Sequence, residues 1–144
     1  MIFPLNRLIF VAAVPGIGLA TVSSIWAADE LRFPPDFKWC VATAAHQIEG
    51  GNVNSDWWEF EHVPGNIKND ENSGAAADSW NLVDKDLALM KSLKIKEYRF
   101  SVEWAKIEPQ PGKISRESIA HYRSFIKQLL ANGIEPMVTL HHFT

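Results

Sequence analysis

Apolar and polar positions follow two different periods along this chain. Residues 37–45 (FKWCVATAA) form an apolar run of strand length, and their small side chains point to close packing. Residues 98–104 (YRFSVEW) and 136–143 (PMVTLHHF) read as two further strands. Between the strands the spacing is helical. Over residues 78–94, Leu82, Val83, Leu87, Met90 and Leu93 share one face, with Asp84, Lys85 and Lys91 largely opposite. A second helix is predicted over 116–132, with Ile119, Tyr122, Phe125, Ile126, Leu129 and Leu130 as its stripe. Ser115 stands where an N-cap belongs, and Gly133 where a glycine ends a helix.

Turn chemistry separates these elements. Pro34 and Pro35 forbid regular helix or central strand at the entry, and Gly50-Gly51 end any strand there. Residues 52–77 are polar and rich in Asn, Gly and Asp. A 26-residue loop is longer than a compact domain leaves idle, which points to function. The order is strand, long loop, helix, strand, helix, strand, which implies βαβ units and a parallel α/β sheet. Three strands cannot close a barrel, and 144 residues fall short of the roughly 250 of a (β/α)₈ barrel.

Charge divides the chain. All 17 acidic residues and all but one of the 14 Lys and Arg lie beyond position 28. The exception, Arg7, precedes an apolar run at 8–14 and then small residues, the make-up of an export signal with Ala20 or Ala27 at the cleavage point. Residues 8–28 are also long enough to span a bilayer, so a membrane anchor remains the alternative. Pro15, Gly16 and Gly18 interrupt that run and no basic flank follows it, which favours the signal and an exported protein. The expected organisation is therefore 1–28 as signal or anchor and 29–144 as the folded part, with membrane contact only through 8–28. Net charge is −3 and no Lys/Arg cluster stands out, so a nucleic-acid footprint is absent. The single cysteine, Cys40, excludes a disulfide-stapled scaffold.

Parallel α/β folds bind ligands beyond the carboxyl ends of their strands. That rule selects His46-Gln47-Ile48-Glu49, Glu103-Trp104 and His141-His142-Phe143. Amides and imidazoles suit sugar hydroxyls, and indoles suit the apolar face of a pyranose. Gln47 offers two donors and an acceptor, for neighbouring hydroxyls or for the backbone of its own loop. Adjacent strand residues point to opposite faces, so His141 and His142 cannot both serve one metal, and no metal or cofactor is expected. Arg99 inside an apolar strand calls for an anion, either a structural carboxylate or a catalytic one. Glu49 and Glu103 stand near strand ends, where a glycosidase holds two carboxylates about 5–5.5 or 6.5–9.5 Å apart, but both read better as structural acids. Trp57-Trp58 would either stack on a ligand or pin the loop. Phosphate-binding glycine loops and the Gly-x-Ser-x-Gly elbow are absent.

Phe33-Pro34 followed by FKWCVATAAHQIEGG closely resembles the N-terminal signature of glycoside hydrolase family 1, the β-glucosidase-like enzymes. The resemblance continues through Ser55-Asp56-Trp57-Trp58, Ala77-Asp78-Ser79-Trp80, Tyr98-Arg99-Phe100-Ser101-Val102-Glu103-Trp104 and Ile107-Glu108-Pro109. It ends in Asn132-Gly133-Ile134-Glu135-Pro136 and Thr139-Leu140-His141-His142-Phe143-Thr144, and it covers residues 33–144. Cys40 departs from it, standing where the family prefers glycine or another very small residue.

The resemblance implies the first three strands and two helices of a (β/α)₈ TIM barrel, incomplete as given. It implies that Gln47 and His142 bind hydroxyls of the non-reducing-end sugar of a β-glucoside or related β-glycoside. It implies that Arg99 orients and supports a nucleophilic carboxylate. The family's two catalytic glutamates belong to Thr-x-Asn-Glu-Pro after strand four and Thr/Ile-Glu-Asn-Gly after strand seven. Neither motif occurs in this sequence, so no catalytic residue is expected on this chain and it is expected to be inactive alone. The alternatives are a catalytically inactive remnant serving as a sugar-binding or interaction module, and an independent flavodoxin-like domain.

Overall fold

A computed structural model describes residues 32–142. The expectations for residues 1–28, and for Phe143 and Thr144, lie outside the described residues. The chain divides into two units, Met1–Phe33 and Pro34–Thr144. All regular structure described here belongs to the second.

Three parallel strands, β1 (Cys40–Ala42), β2 (Glu97–Ser101) and β3 (Glu135–Thr139), form one sheet in the order β1-β2-β3. The register pairs Ala42 with Arg99 and Arg99 with Met137. Five helical segments lie between them: α1 (Ala45–Ile48), α2 (Asp56–Glu61), α3 (Val83–Ser92), α4 (Trp104–Ile107) and α5 (Arg116–Ala131). A 3₁₀ turn covers Lys68–Asp70. The α/β class and the parallel order follow the sequence pattern, and the two long helices α3 and α5 are the two it predicts.

Strand alternation sorts the sheet into two faces. Tyr98 and Phe100 of β2, with Val41 and Val138 beside them, turn toward α3 and α5. There they join Leu87, Met90, Leu129 and Ile134 in the core. Leu129 and Ile134 are 0% and 1% exposed. On the opposite face, Arg99 is half-buried and Met137 is 60% exposed.

Both long helices end in the same way. The Ile134 amide donates to Leu129 O and the Ile95 amide to Met90 O, each at 3.0 Å, closing a left-handed cap at Gly133 (φ 69°) and Lys94 (φ 57°). Ser115 does cap α5: its hydroxyl accepts from the Ser118 amide at 3.1 Å.

Several boundaries differ from the sequence reading. The first strand is three residues, because its ladder follows the pairing with β2, and at Ala45 the chain already turns into α1. Trp104 opens a helix rather than ending a strand. Leu93 and Leu130, placed on the buried stripes, are 69% and 58% exposed. Leu93 lies past the last turn of α3, and Leu130 sits one residue off the α5 face centred on Leu129.

Candidate functional site

The site begins with the short helix α1. Its first amide, Ala45 N, donates to Ser101 Oγ at 2.8 Å, which fixes the start of α1 against the end of β2. Thr43 continues the ladder by donating its amide to Arg99 O at 3.0 Å. A four-residue helix is too short to hold itself, so its neighbours must hold it.

They do so from both sides of Gln47. On one side, His46 Nδ1 lies 3.0 Å from Ser55 Oγ and its Nε2 3.4 Å from Glu61 Oε2. Glu61 in turn accepts from the Ser73 amide and hydroxyl at 3.0 and 2.8 Å. Burial by itself would raise the Glu61 carboxyl, but those bonds and His46 hold it below its ordinary value. Ser, His and Glu in line invite comparison with a nucleophilic triad. Ser55 is 1% exposed and accepts from Trp58 N as the cap of α2, so no substrate can reach its oxygen.

On the other side, Glu49 is buried and its carboxylate is divided between two donors. Tyr122 OH donates to Oε1 at 2.7 Å and Lys106 Nζ to Oε2 at 3.1 Å. Lys106 also donates to Gly50 O at 3.0 Å and lies 4.1 Å over the Trp80 ring. Trp80 also stacks on His121, with centroids 3.7 Å apart. Tyr122 OH accepts from the Glu103 amide at 2.8 Å, and Asn52 Nδ2 donates to Glu103 Oε2 at 3.1 Å. Burial raises the Glu49 carboxyl, opposed by the charge of Lys106. Burial also pushes the Tyr122 hydroxyl far up, followed by the Glu49 charge, so it remains protonated and donates.

Gly50 is required where it stands. Its φ is +82°, and a Cβ would come within 2.3 Å of Ala75 O. Beside it, Gly51 N donates to Gly74 O at 2.9 Å, so the long loop folds back against its own beginning.

Gln47 lies exposed between these two anchors; its backbone amide donates to Ala44 O at 3.0 Å, and among the described residues its side-chain amide makes no hydrogen bond. It is therefore available to a ligand, and not spent on its own loop. Arg99 sits on the open face of β2, and none of the ion pairs among the described residues involves it. His142 is half-buried and His141 exposed. Because β3 ends at Thr139, both lie on the following loop and strand alternation does not govern them. Gln47, Arg99 and His142 thus belong to three successive strand units, with Gln47 and His142 just past the carboxyl ends.

Glu49 and Glu103 are engaged by protein donors and buried, in keeping with the structural role read for them. Trp58 stacks on His62 at 4.1 Å, while Trp57 is 41% exposed. A cavity of about 30 Å³ lies between sheet and helices, lined by Thr43, Glu49, Tyr98 and Trp80 among others; it has room for about one water and is too small for a sugar. An open groove of about 380 Å³ at Phe37, Trp39 and Leu93 lies at the amino ends of the strands, away from Gln47. Sequence reasoning missed Lys106, Tyr122 and Asn52. A lone lysine between apolar residues, Trp104-Ala105-Lys106-Ile107, was the only signal for the first.

A family model described as Glycosyl hydrolase family 1 matches residues 29–144. The chain is 40% identical over 120 residues to beta-glucosidase A of Acetivibrio thermocellus, covering 79% of this chain and 27% of that protein. It is 36% identical over 132 residues to probable inactive beta-glucosidase 14 of Oryza sativa, covering 87% and 26%. Among solved structures, a family 1 β-glucosidase from Thermotoga maritima superposes with a TM-score of 0.73 at 38% identity, covering 77% of this chain and 27% of that one. The chain therefore spans about a quarter of the length of the curated relatives it matches, and its three strands and two long helices correspond to part of their (β/α)₈ barrel. On the profile match and these identities, the chain belongs to glycosyl hydrolase family 1.

Proposed function

We propose that this chain carries the sugar-binding portion of a β-glycosidase that hydrolyses β-glucosides or related β-glycosides with retention of configuration. The observation that carries the reading is the placement of Gln47, Arg99 and His142 on three adjacent parallel strand units, in a chain that belongs to this family. Gln47 and His142 bind hydroxyls of the terminal sugar. Arg99 holds a nucleophilic carboxylate ionised and oriented by its charge.

In this mechanism one carboxylate attacks the anomeric carbon and a second protonates the departing oxygen. The second then activates water to release the sugar. The motifs that carry these two carboxylates in the family are absent from this sequence, so both come from sequence outside it. We further propose that residues 1–28 direct the protein out of the cytoplasm as a signal, with an anchor that contacts the membrane through residues 8–28 as the alternative. No cofactor and no nucleic acid takes part.

A second reading is a sugar-binding module without turnover. It is favoured by the 36% identity to a rice protein named as probably inactive. One experiment separates the two. Binding of deoxynojirimycin, the compound bound in a solved Thermotoga maritima relative, and hydrolysis of p-nitrophenyl β-glucoside are measured on the full-length protein. Binding with turnover supports the enzyme, and Gln47→Ala then lowers kcat/KM about 10- to 100-fold. Binding without turnover supports the module. Absence of both overturns the sugar site.

A further inference from the structure

Gln47 can select a sugar only if its amide is held still, yet it rides on one turn of helix beside a 26-residue loop. Packing of apolar side chains does not hold that turn: of its four residues only Ala45 is buried. Polar groups from later in the chain hold it instead, and two of those bonds come from a single cation. Lys106 Nζ donates to Glu49 Oε2 at 3.1 Å and to Gly50 O at 3.0 Å, the second and third residues after Gln47.

We propose that Lys106 is the positioning residue of the sugar site, clamping Glu49 and Gly50 so that Gln47 is presented to the ligand in one orientation. The proposal rests on the glycosidase reading above.

Four observations support it. First, Lys106 is itself held. Its ammonium lies 4.1 Å over Trp80, a ring that also stacks on His121, so swinging away forfeits the cation–π contact. Second, the clamped carboxylate has no spare freedom, because its other oxygen accepts from Tyr122 OH. Third, Gly50 offers its carbonyl from a positive-φ backbone (φ +82°) that leaves no room for a Cβ beside Ala75. Fourth, a parallel tie runs from Asn52 to Glu103, so the end of β2 and the α4 that follows it hold the loop at three successive points. Glu103 and Lys106 thus bring the second strand unit to bear on a ligand-binding residue of the first. Without the lysine, Glu49 would be a buried carboxylate whose remaining donor is one phenol, a costly state that the loop relieves by moving.

The test uses the full-length protein with Lys106→Met, Lys106→Arg and Ile126→Ala. Ile126→Ala thins the half-buried helix packing without touching the clamp, and serves as the control for lost stability. Deoxynojirimycin affinity is measured by calorimetry, well below each unfolding midpoint, together with amide exchange at Glu49 and Gly51. The expected result is an affinity loss of about tenfold or more in Lys106→Met, with faster exchange at both amides. Lys106→Arg, which keeps the charge and the aromatic contact, returns to within about threefold of wild type, and Ile126→Ala does not lower affinity. Unchanged affinity in Lys106→Met overturns the proposal, as does a loss that arginine fails to rescue or that Ile126→Ala reproduces. A wild-type protein that neither binds deoxynojirimycin nor turns over a β-glucoside overturns the glycosidase reading itself, a result distinct from wild-type binding that the methionine leaves intact.

Discussion

Tyr98, Phe100 and Val138 lie under α3 and α5, while Arg99 and Met137, one residue along the same strands, face away from both helices. The first face is complete within the described residues: Leu129 and Ile134 are almost fully enclosed by the two long helices and the sheet. The second face, and the loops at its carboxyl end, carry the residues proposed to bind the sugar and are held by polar ties in place of apolar packing. Stability and recognition are therefore written in different residues only 3–4 Å apart along a strand. A substitution can strike one and spare the other.

The largest effect belongs to the packed face. Leu129→Ala costs about 2–5 kcal/mol of unfolding free energy, read by denaturant titration of the full-length protein. Met137 sharpens the contrast. In a barrel closed by further strands, Met137→Ala carries a core-sized cost of about 2 kcal/mol. A cost below about 0.5 kcal/mol would mean that the open face remains in water and that no barrel closes over it.

Gly50→Ala comes next and acts at the other end. The positive φ and the Ala75 carbonyl 2.3 Å from the added methyl group cost about 2 kcal/mol. Unlike Leu129→Ala, this substitution also weakens deoxynojirimycin binding at temperatures where the protein is fully folded. Equal affinity in the two variants would break the separation of faces.

The smallest effect is a pH slope. Burial, and then the charge of Lys106, lower the pKa of His121 below the ordinary imidazole value of 6.5. As pH falls below 6.5 the unfolded chain takes up this proton before the folded one does. Stability therefore declines with falling pH until the lowered folded value is passed, and is fully recovered above 6.5. Subtracting the stability profile of His121→Gln from that of the wild type isolates this slope. A difference profile that is flat, or that rises toward acid, contradicts the burial of His121 against Trp80 with Lys106 nearby.

The order of the long elements was legible because α3 and α5 are long enough for a period to show, and because Ser115 and Gly133 mark the limits of α5. Lys94 gave no such mark: it takes the same left-handed cap as Gly133 without being a glycine. The turns α1, α2 and α4 were not legible, since four to six residues carry no periodic signal and are held by distant partners. The candidate residues themselves came from strand ends for Gln47 and His142, from a charge inside an apolar strand for Arg99, and from family resemblance for all three. What positions them did not: Lys106, Tyr122 and Asn52 reach Glu49, Gly50 and Glu103 across 19 to 73 residues of sequence. Contacts of that separation leave no trace in local spacing.

The central claim is that these residues serve a β-glycosidase whose two reactive carboxylates lie in sequence outside this one. It is tested most directly by purifying the protein from its natural source and following p-nitrophenyl β-glucoside hydrolysis fraction by fraction, with the intact mass and peptides of each active fraction. The account predicts that activity travels with a species well above 16.2 kDa, containing peptides from residues 32–142 and an Asn-Glu-Pro peptide from elsewhere in the same molecule. Activity in a species of 16.2 kDa or less, or fractions rich in residues 32–142 that hydrolyse no β-glycoside, would contradict it.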